Sequence, residues 1–127
     1  MVNWGFQSDF SQISQREKRR RRSRKRLKKR GYRIIERNYR SRLGEIDIIG
    51  EKAGTLVFVE VKTKTSLAFG LPQENVNYRK QEKVKKIAQV YLAATRQFHR
   101  QVSFCVVAVQ LDREGNLVKI EVFEEAF

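Results

Sequence analysis

The sequence predicts an α/β domain with a mixed β-sheet flanked by helices, in the order α-β-β-β-α-β-β. Three stretches carry this prediction. Leu56 to Val61 is almost wholly apolar and rich in β-branched residues, as a strand covered on both faces reads. Val84, Ile87, Ala88, Tyr91, Leu92, Thr95 and Phe98 recur at steps of three and four, with Lys83, Lys85 and Lys86 outside, which is an amphipathic helix. Val102 to Leu111 is a second buried strand. A strand–helix–strand unit from residue 55 to 111 predicts a right-handed crossover joining parallel strands.

At 127 residues there is room for one domain and one core. Met1 to Gln15 carries Trp4, Phe6 and Phe10 without a clear period. Arg16 to Arg30 is made of strong helix formers, and Gly31 offers a C-terminal stop. The apolar face of that helix is poor, since only Ile13 and Leu27 lie near one stripe. Its charges repel one another, so part of it is expected to order only against phosphate. Tyr32 to Asn38 reads as a first strand. Residues 44–50 and 55–62 then form a hairpin across Glu51-Lys52-Ala53-Gly54. Thr63 to Asn77 is a loop containing Gly70 and Pro72, and Asn75 or Asn77 is placed to cap the helix that follows. Asp112 to Asn116 is a turn before a last strand, Leu117 to Phe123. The chain thus divides into a basic extension and helix, 1–30, and an α/β domain, 31–127.

The formal net charge is +14, and Arg16 to Arg30 alone holds +11 of it. So concentrated an excess points to a polyanion, with nucleic acid ahead of an anionic membrane surface. The run lacks the aromatic and leucine face of a membrane-surface helix. Candidate phosphate contacts are Arg19, Arg20, Arg22, Arg24, Lys25, Arg26, Lys28 and Lys29. They offer no base-reading element. The single cysteine, Cys105, sits in an apolar strand and reads as core, and a reducing, cytoplasmic setting is expected. No apolar run approaches membrane-spanning length. His99 is the only histidine, which argues against a histidine-based metal site or triad.

Ile46 and Ile48 alternate with Glu45 and Asp47, the period of a half-buried strand. Across the hairpin, Asp47 comes opposite Glu60, with Lys62 beside them. Charges at the end of a buried strand are costly unless paired or metal-bound. A carboxylate pair repels itself, and a hard cation with oxygen ligands removes that repulsion. The three residues therefore suggest a small divalent-metal site; the other reading is ordinary cross-strand pairs on a solvated face.

Asp47, then Glu60-Val61-Lys62, resembles the PD-(D/E)xK nuclease signature. The wider series also includes Leu27-Lys28-Lys29-Arg30-Gly31-Tyr32, Glu36 to Arg40, Gly44 to Asp47, Val57 to Thr63, Phe69-Gly70, Arg79-Lys80-Gln81 and Ala126-Phe127. It resembles the YraN family of small bacterial proteins, similar in fold to Holliday-junction resolvases. The resemblance implies a restriction-endonuclease-like three-layer core. It also implies Mg²⁺ or Mn²⁺ held by Asp47, Glu60 and the carbonyl of Val61, where the metal lowers the pKa of a bound water. Lys62 is then expected to orient or deprotonate that water, or to stabilise charge. Lys80 and Gln81 are expected near the substrate, the other reading of Lys80 being a snorkelling lysine at a helix start, and Glu45 as a secondary ligand or rim charge. The expected activity is metal-dependent endonuclease action on DNA, branched or structured forms included, with DNA ahead of RNA. The alternative is a non-catalytic DNA- or RNA-binding module on the same fold.

Two positions depart from the pattern. Relatives usually carry a Glu in the first helix that completes the acidic site. Counting back from Leu27 and Gly31, that position is Arg20, with Glu17 one turn earlier as a possible accessory acid. Relatives also often have Arg-Phe-Asp where this chain has Ser103-Phe104-Cys105. Both changes remove acidic character or its partners, and so bear on metal affinity more than on fold.

Overall fold

The computed structural model describes residues 14–65 and 77–127. The expectations for Trp4, Phe6, Phe10, Ile13, Phe69, Gly70, Pro72 and Asn75 lie outside these residues. The elements are α1 (Gln15–Lys29), β1 (Arg33–Ser41), β2 (Gly44–Lys52), β3 (Thr55–Lys64), α2 (Tyr78–Ala94), β4 (Val102–Leu111) and β5 (Leu117–Phe123). The strands form one sheet in the order β1-β2-β3-β4-β5. Only β3 and β4 run parallel, from Leu56 beside Val102 to Lys64 beside Gln110; every other neighbouring pair is antiparallel.

Successive strand residues point to opposite faces, and the two faces carry different helices. Val57 and Val59 of β3 pack with Leu27 of α1, Tyr32, Ile48, Cys105 and Val107. Leu56 and Phe58 pack with Val84, Ile87, Ala88, Tyr91 and Leu92 of α2. The result is a helix–sheet–helix sandwich with a nuclease-like core. Because α1 covers the second face, β2 is buried continuously from Ile46 to Gly50. The half-buried strand expected from its alternation is thereby corrected: Asp47 is enclosed, not solvated.

α1 is a formed helix despite its charge. Ser14 caps it by accepting from the Glu17 N–H. At the other end Tyr32 N–H donates to Leu27 O, and Gly31 N–H to Lys28 O, both at 3.0 Å. That pair of bonds is a Schellman stop, with Gly31 in the left-handed region at φ +93°. Leu27 and Tyr32 share one core cluster, supplying the apolar contact that accompanies such a stop.

α2 is capped by Asn77, whose side chain accepts from the Lys80 N–H. It ends at Ala94, before the expected Phe98, which is 65% exposed. Here Gln97 N–H donates to Leu92 O and Arg96 N–H to Ala93 O. This is the same stop, made with Arg96 instead of glycine at φ +56°. A left-handed arginine gives no sequence signal for a helix end.

A Cβ at Gly31 meets only the Lys52 side chain at ordinary contact distance, so the cost of Gly31→Ala is conformational. The variant is expected to lose about 1–2 kcal/mol in urea denaturation, with the fold retained by circular dichroism.

Candidate carboxylate site and nucleic-acid interface

The antiparallel ladder of β2 and β3 runs from Lys52 beside Thr55 to Ile48 beside Val59. The next rung would set Asp47 opposite Glu60. Instead the Asp47 carboxylate takes over, its Oδ2 accepting from the Val61 N–H at 2.9 Å. The β1 side is also irregular here. Asn38, in register with Asp47 between the Arg37–Ile48 and Tyr39–Ile46 pairs, has φ +52°. Ile46 and Ile48, two residues apart, pack into opposite cores, so the alternation of β2 slips at this point. Asp47 therefore sits where the sheet opens.

Its other oxygen meets α1. Arg20 Nε donates to Asp47 Oδ1 at 2.9 Å, and Arg20 Nη2 donates to Glu45 Oε1 at 2.9 Å. Arg16 approaches the same two carboxylates at 3.5 and 3.6 Å. Asp47 is 3% exposed and Arg20 7%. Asp47 and Glu45 hold the Arg20 guanidinium above its ordinary pKa, against the opposing effect of burial. Glu45 also accepts from exposed Arg40, as a rim charge does.

Glu60 has a different cation. Lys80, at the start of α2, brings its Nζ to 3.4 Å from Glu60 Oε2. Glu60 is 5% exposed. Burial and then the neighbouring Asp47 charge push its pKa up to about 7, while Lys80 and Lys62 oppose that rise. Gln81 follows Lys80 and is half-buried, as is Lys62 at the end of the same strand face as Glu60. The solvated-face reading of Asp47 and Glu60 is thus replaced by a buried carboxylate pair, each member with its own cation.

Glu17 does not join this pair. It accepts from Arg24 Nη2 at 2.9 Å, and burial opposes but does not outweigh the lowering of its pKa by Arg24. Arg20 and Arg24, expected among the phosphate contacts, are turned inward and engaged with carboxylates. The outward stripe of α1 holds the rest. Arg21, Arg22, Lys25, Arg26 and Lys29 line a groove of about 470 Å³ against Leu117 and Ile120 of β5. Arg26 Nη1 also donates to the Ile120 carbonyl, which fixes one wall. Lys28 is exposed and Arg19 half-buried. Cys105 is fully buried, and burial raises its thiol to about 12, in keeping with a core role.

The donor set does not fit a divalent ion as it stands. Both Asp47 oxygens already accept hydrogen bonds, one of them from a guanidinium. Among the described residues no group of three or more His, Cys, Asp or Glu is arranged to hold a metal. What the sequence reading lacked was the pairing of Arg16 and Arg20 with Glu45 and Asp47. Its signal is there: two arginines one turn apart, and two carboxylates at strand spacing.

Fold and site together define a nuclease-like α/β domain with a closed carboxylate pair and a basic helix. The family model for Uncharacterised protein family UPF0102 matches residues 20–109. A UPF0102 protein of Caldicellulosiruptor bescii is 46% identical over 80% of this chain and 86% of its own length. Those of Moorella thermoacetica (46% identical, 76% of this chain and 81% of its own) and Dictyoglomus thermophilum (41%, 80% and 86%) are similar over a comparable span. The chain belongs to the UPF0102 family, the YraN family of the sequence resemblance. Among the described residues no helix is long and apolar enough to cross a membrane.

The two carboxylates predict opposite mutational behaviour. Folded Glu60 keeps its proton to about pH 7, whereas an unfolded glutamate releases it near 4.5. The folded state then binds more protons between these values, so this group's contribution to stability is full below about pH 4.5 and is lost as pH rises to about 7. Glu60→Gln is expected to remove that loss, worth at most about 3 kcal/mol, and to exceed the unchanged chain in stability at pH 8. Asp47→Asn leaves the buried Arg20 underpaired and is expected to cost up to about 3–5 kcal/mol. Urea denaturation of the three proteins at pH 5 and pH 8 checks both signs.

Proposed function

We propose that this chain binds nucleic acid along the outward stripe of α1, as a phosphate-binding module on a nuclease-like fold. The supporting observation is the groove in which Arg21, Arg22, Lys25, Arg26 and Lys29 converge beside β5. Five cations on one helical stripe match a polymer of regularly spaced phosphates, and binding of this kind is sequence-independent and salt-sensitive. DNA is the polymer proposed, in keeping with the nuclease-like core, with RNA as the comparison.

A second reading is metal-dependent endonuclease action, with Asp47, Glu60 and Lys62 as the catalytic group and Mg²⁺ or Mn²⁺ as cofactor. The burial of Asp47 and Glu60 where β2 and β3 part favours it. It ranks second because Arg20 lies on Asp47, where the ion would sit. Cleavage of supercoiled, linear, flap and four-way-junction DNA with Mg²⁺ or Mn²⁺, alongside Glu60→Ala and an EDTA control, tests this reading directly.

Neutralising about six duplex phosphates gives a log–log salt slope of about −5. Replacing Arg22, Lys25 and Lys29 together with glutamine is expected to flatten that slope by up to about 3 and to weaken all DNA sequences alike. Fluorescence anisotropy across a salt series measures both. A slope near zero for the unchanged chain would overturn the proposal.

A further inference from the structure

We infer that Arg20 is a built-in cation that takes the place of a divalent metal at Asp47, so that α1 itself neutralises the carboxylate centre. The guanidinium reaches two carboxylates two residues apart on β2, with one N–H on each, at 2.9 Å in both cases. A planar fork with a fixed charge suits that task, since arginine stays protonated throughout the accessible pH range. The second Asp47 oxygen is held by the Val61 amide. A divalent ion on Oδ1 would lie beside the guanidinium, and like charges a few ångströms apart in a poorly solvated site repel strongly. Arg16 adds a second cation on the same side. Metal can therefore enter only if Arg20 leaves, which would strip Asp47 and Glu45 of their buried partner.

The same contact docks the helix. Leu27 is the only buried apolar side chain that α1 brings to the sheet; the others it buries are Arg20, Ser23 and Arg24. A helix with so little apolar surface needs a polar latch, and Arg20 supplies one at the place where the sheet opens.

A carboxylate in place of Arg20 would set three acids around one point, which calls for an external cation. Arg20→Glu is accordingly expected to gain a Mn²⁺ site. Its melting temperature should rise by roughly 5–10 °C at Mn²⁺ near 100 times its dissociation constant. The rise should disappear in Arg20→Glu/Asp47→Asn. The unchanged chain should show no Mn²⁺ shift and no saturable Mn²⁺ binding by electron paramagnetic resonance that depends on Asp47. Should Arg20→Glu be unfolded without metal, folding on Mn²⁺ addition by circular dichroism supports the inference. Arg20→Met, which keeps the side-chain bulk and removes the charge, should then show a smaller Mn²⁺ shift of the same sign. Two results overturn the inference: a Mn²⁺ shift in the unchanged chain that Asp47→Asn abolishes, or no Mn²⁺ response in any Arg20 variant. DNA affinity reads the outer stripe of α1 independently, so failure of the nucleic-acid reading would leave these outcomes unchanged.

Discussion

The guanidinium of Arg20 joins α1 to β2 through two N–H donors, one on Asp47 and one on Glu45. Much of the surrounding structure follows from it. Burying an arginine and an aspartate costs several kcal/mol for each ion unless the geometry is good and the remaining polar atoms are satisfied. Here the second aspartate oxygen is satisfied by the Val61 amide, so β2 and β3 exchange a backbone rung for a side-chain one. The opening of the sheet, the seat of the helix and the charge of the carboxylate centre are thus one arrangement. The two carboxylates therefore sit in different surroundings, Asp47 on a buried guanidinium and a backbone amide, Glu60 on a half-exposed lysine.

The charge on α1 is sorted by helical face. The inner stripe turns Arg20 and Arg24 onto carboxylates, Glu17 among them, and these pairs offset part of the repulsion within the run. The ends are closed by local hydrogen bonds: Ser14 on the first turn and the Gly31 stop on the last. Among the described residues the outer stripe has no comparable set of acids, and its cations converge on the groove beside β5. The side chains that meet the acids and those that line the groove are thus different members of one fifteen-residue element, with Arg26 both lining the groove and donating to the Ile120 carbonyl.

The sheet and its parallel crossover pair were legible because β-branched runs and apolar alternation are local signals. β4 and β5 were legible to the residue. The end of α2 was not, since the stop uses Arg96 where a glycine would have announced it. β2 read as half-buried because its polar residues alternate correctly; only the three-dimensional placement of α1 encloses them. The inward role of Arg20 was hidden for a related reason. In a run of arginines every position looks like a phosphate contact, and the acids that select Arg20 and Arg24 lie 25 residues away at Glu45 and 7 at Glu17. Composition showed that the run is cationic, but not which cations are already used.

Distance within the sheet separates the two features further. The groove is walled by β5, whereas Asp47 belongs to β2, three strands away in a sheet whose neighbours are spaced by about 5 Å. A phosphate seated in the groove is then on the order of 14 Å from the carboxylate centre. At such a distance, screening by physiological salt leaves little direct interaction between solvated charges. A bound nucleic acid held only there neither presents a phosphodiester to Asp47 and Glu60 nor draws Arg20 away from them. For the centre to act on that polymer, the polymer would have to cross from the β5 side to the start of α2, where Lys80 stands on Glu60. On the proposed reading, binding runs along the groove between α1 and β5, while Arg20 and Lys80 hold the carboxylates of β2 and β3.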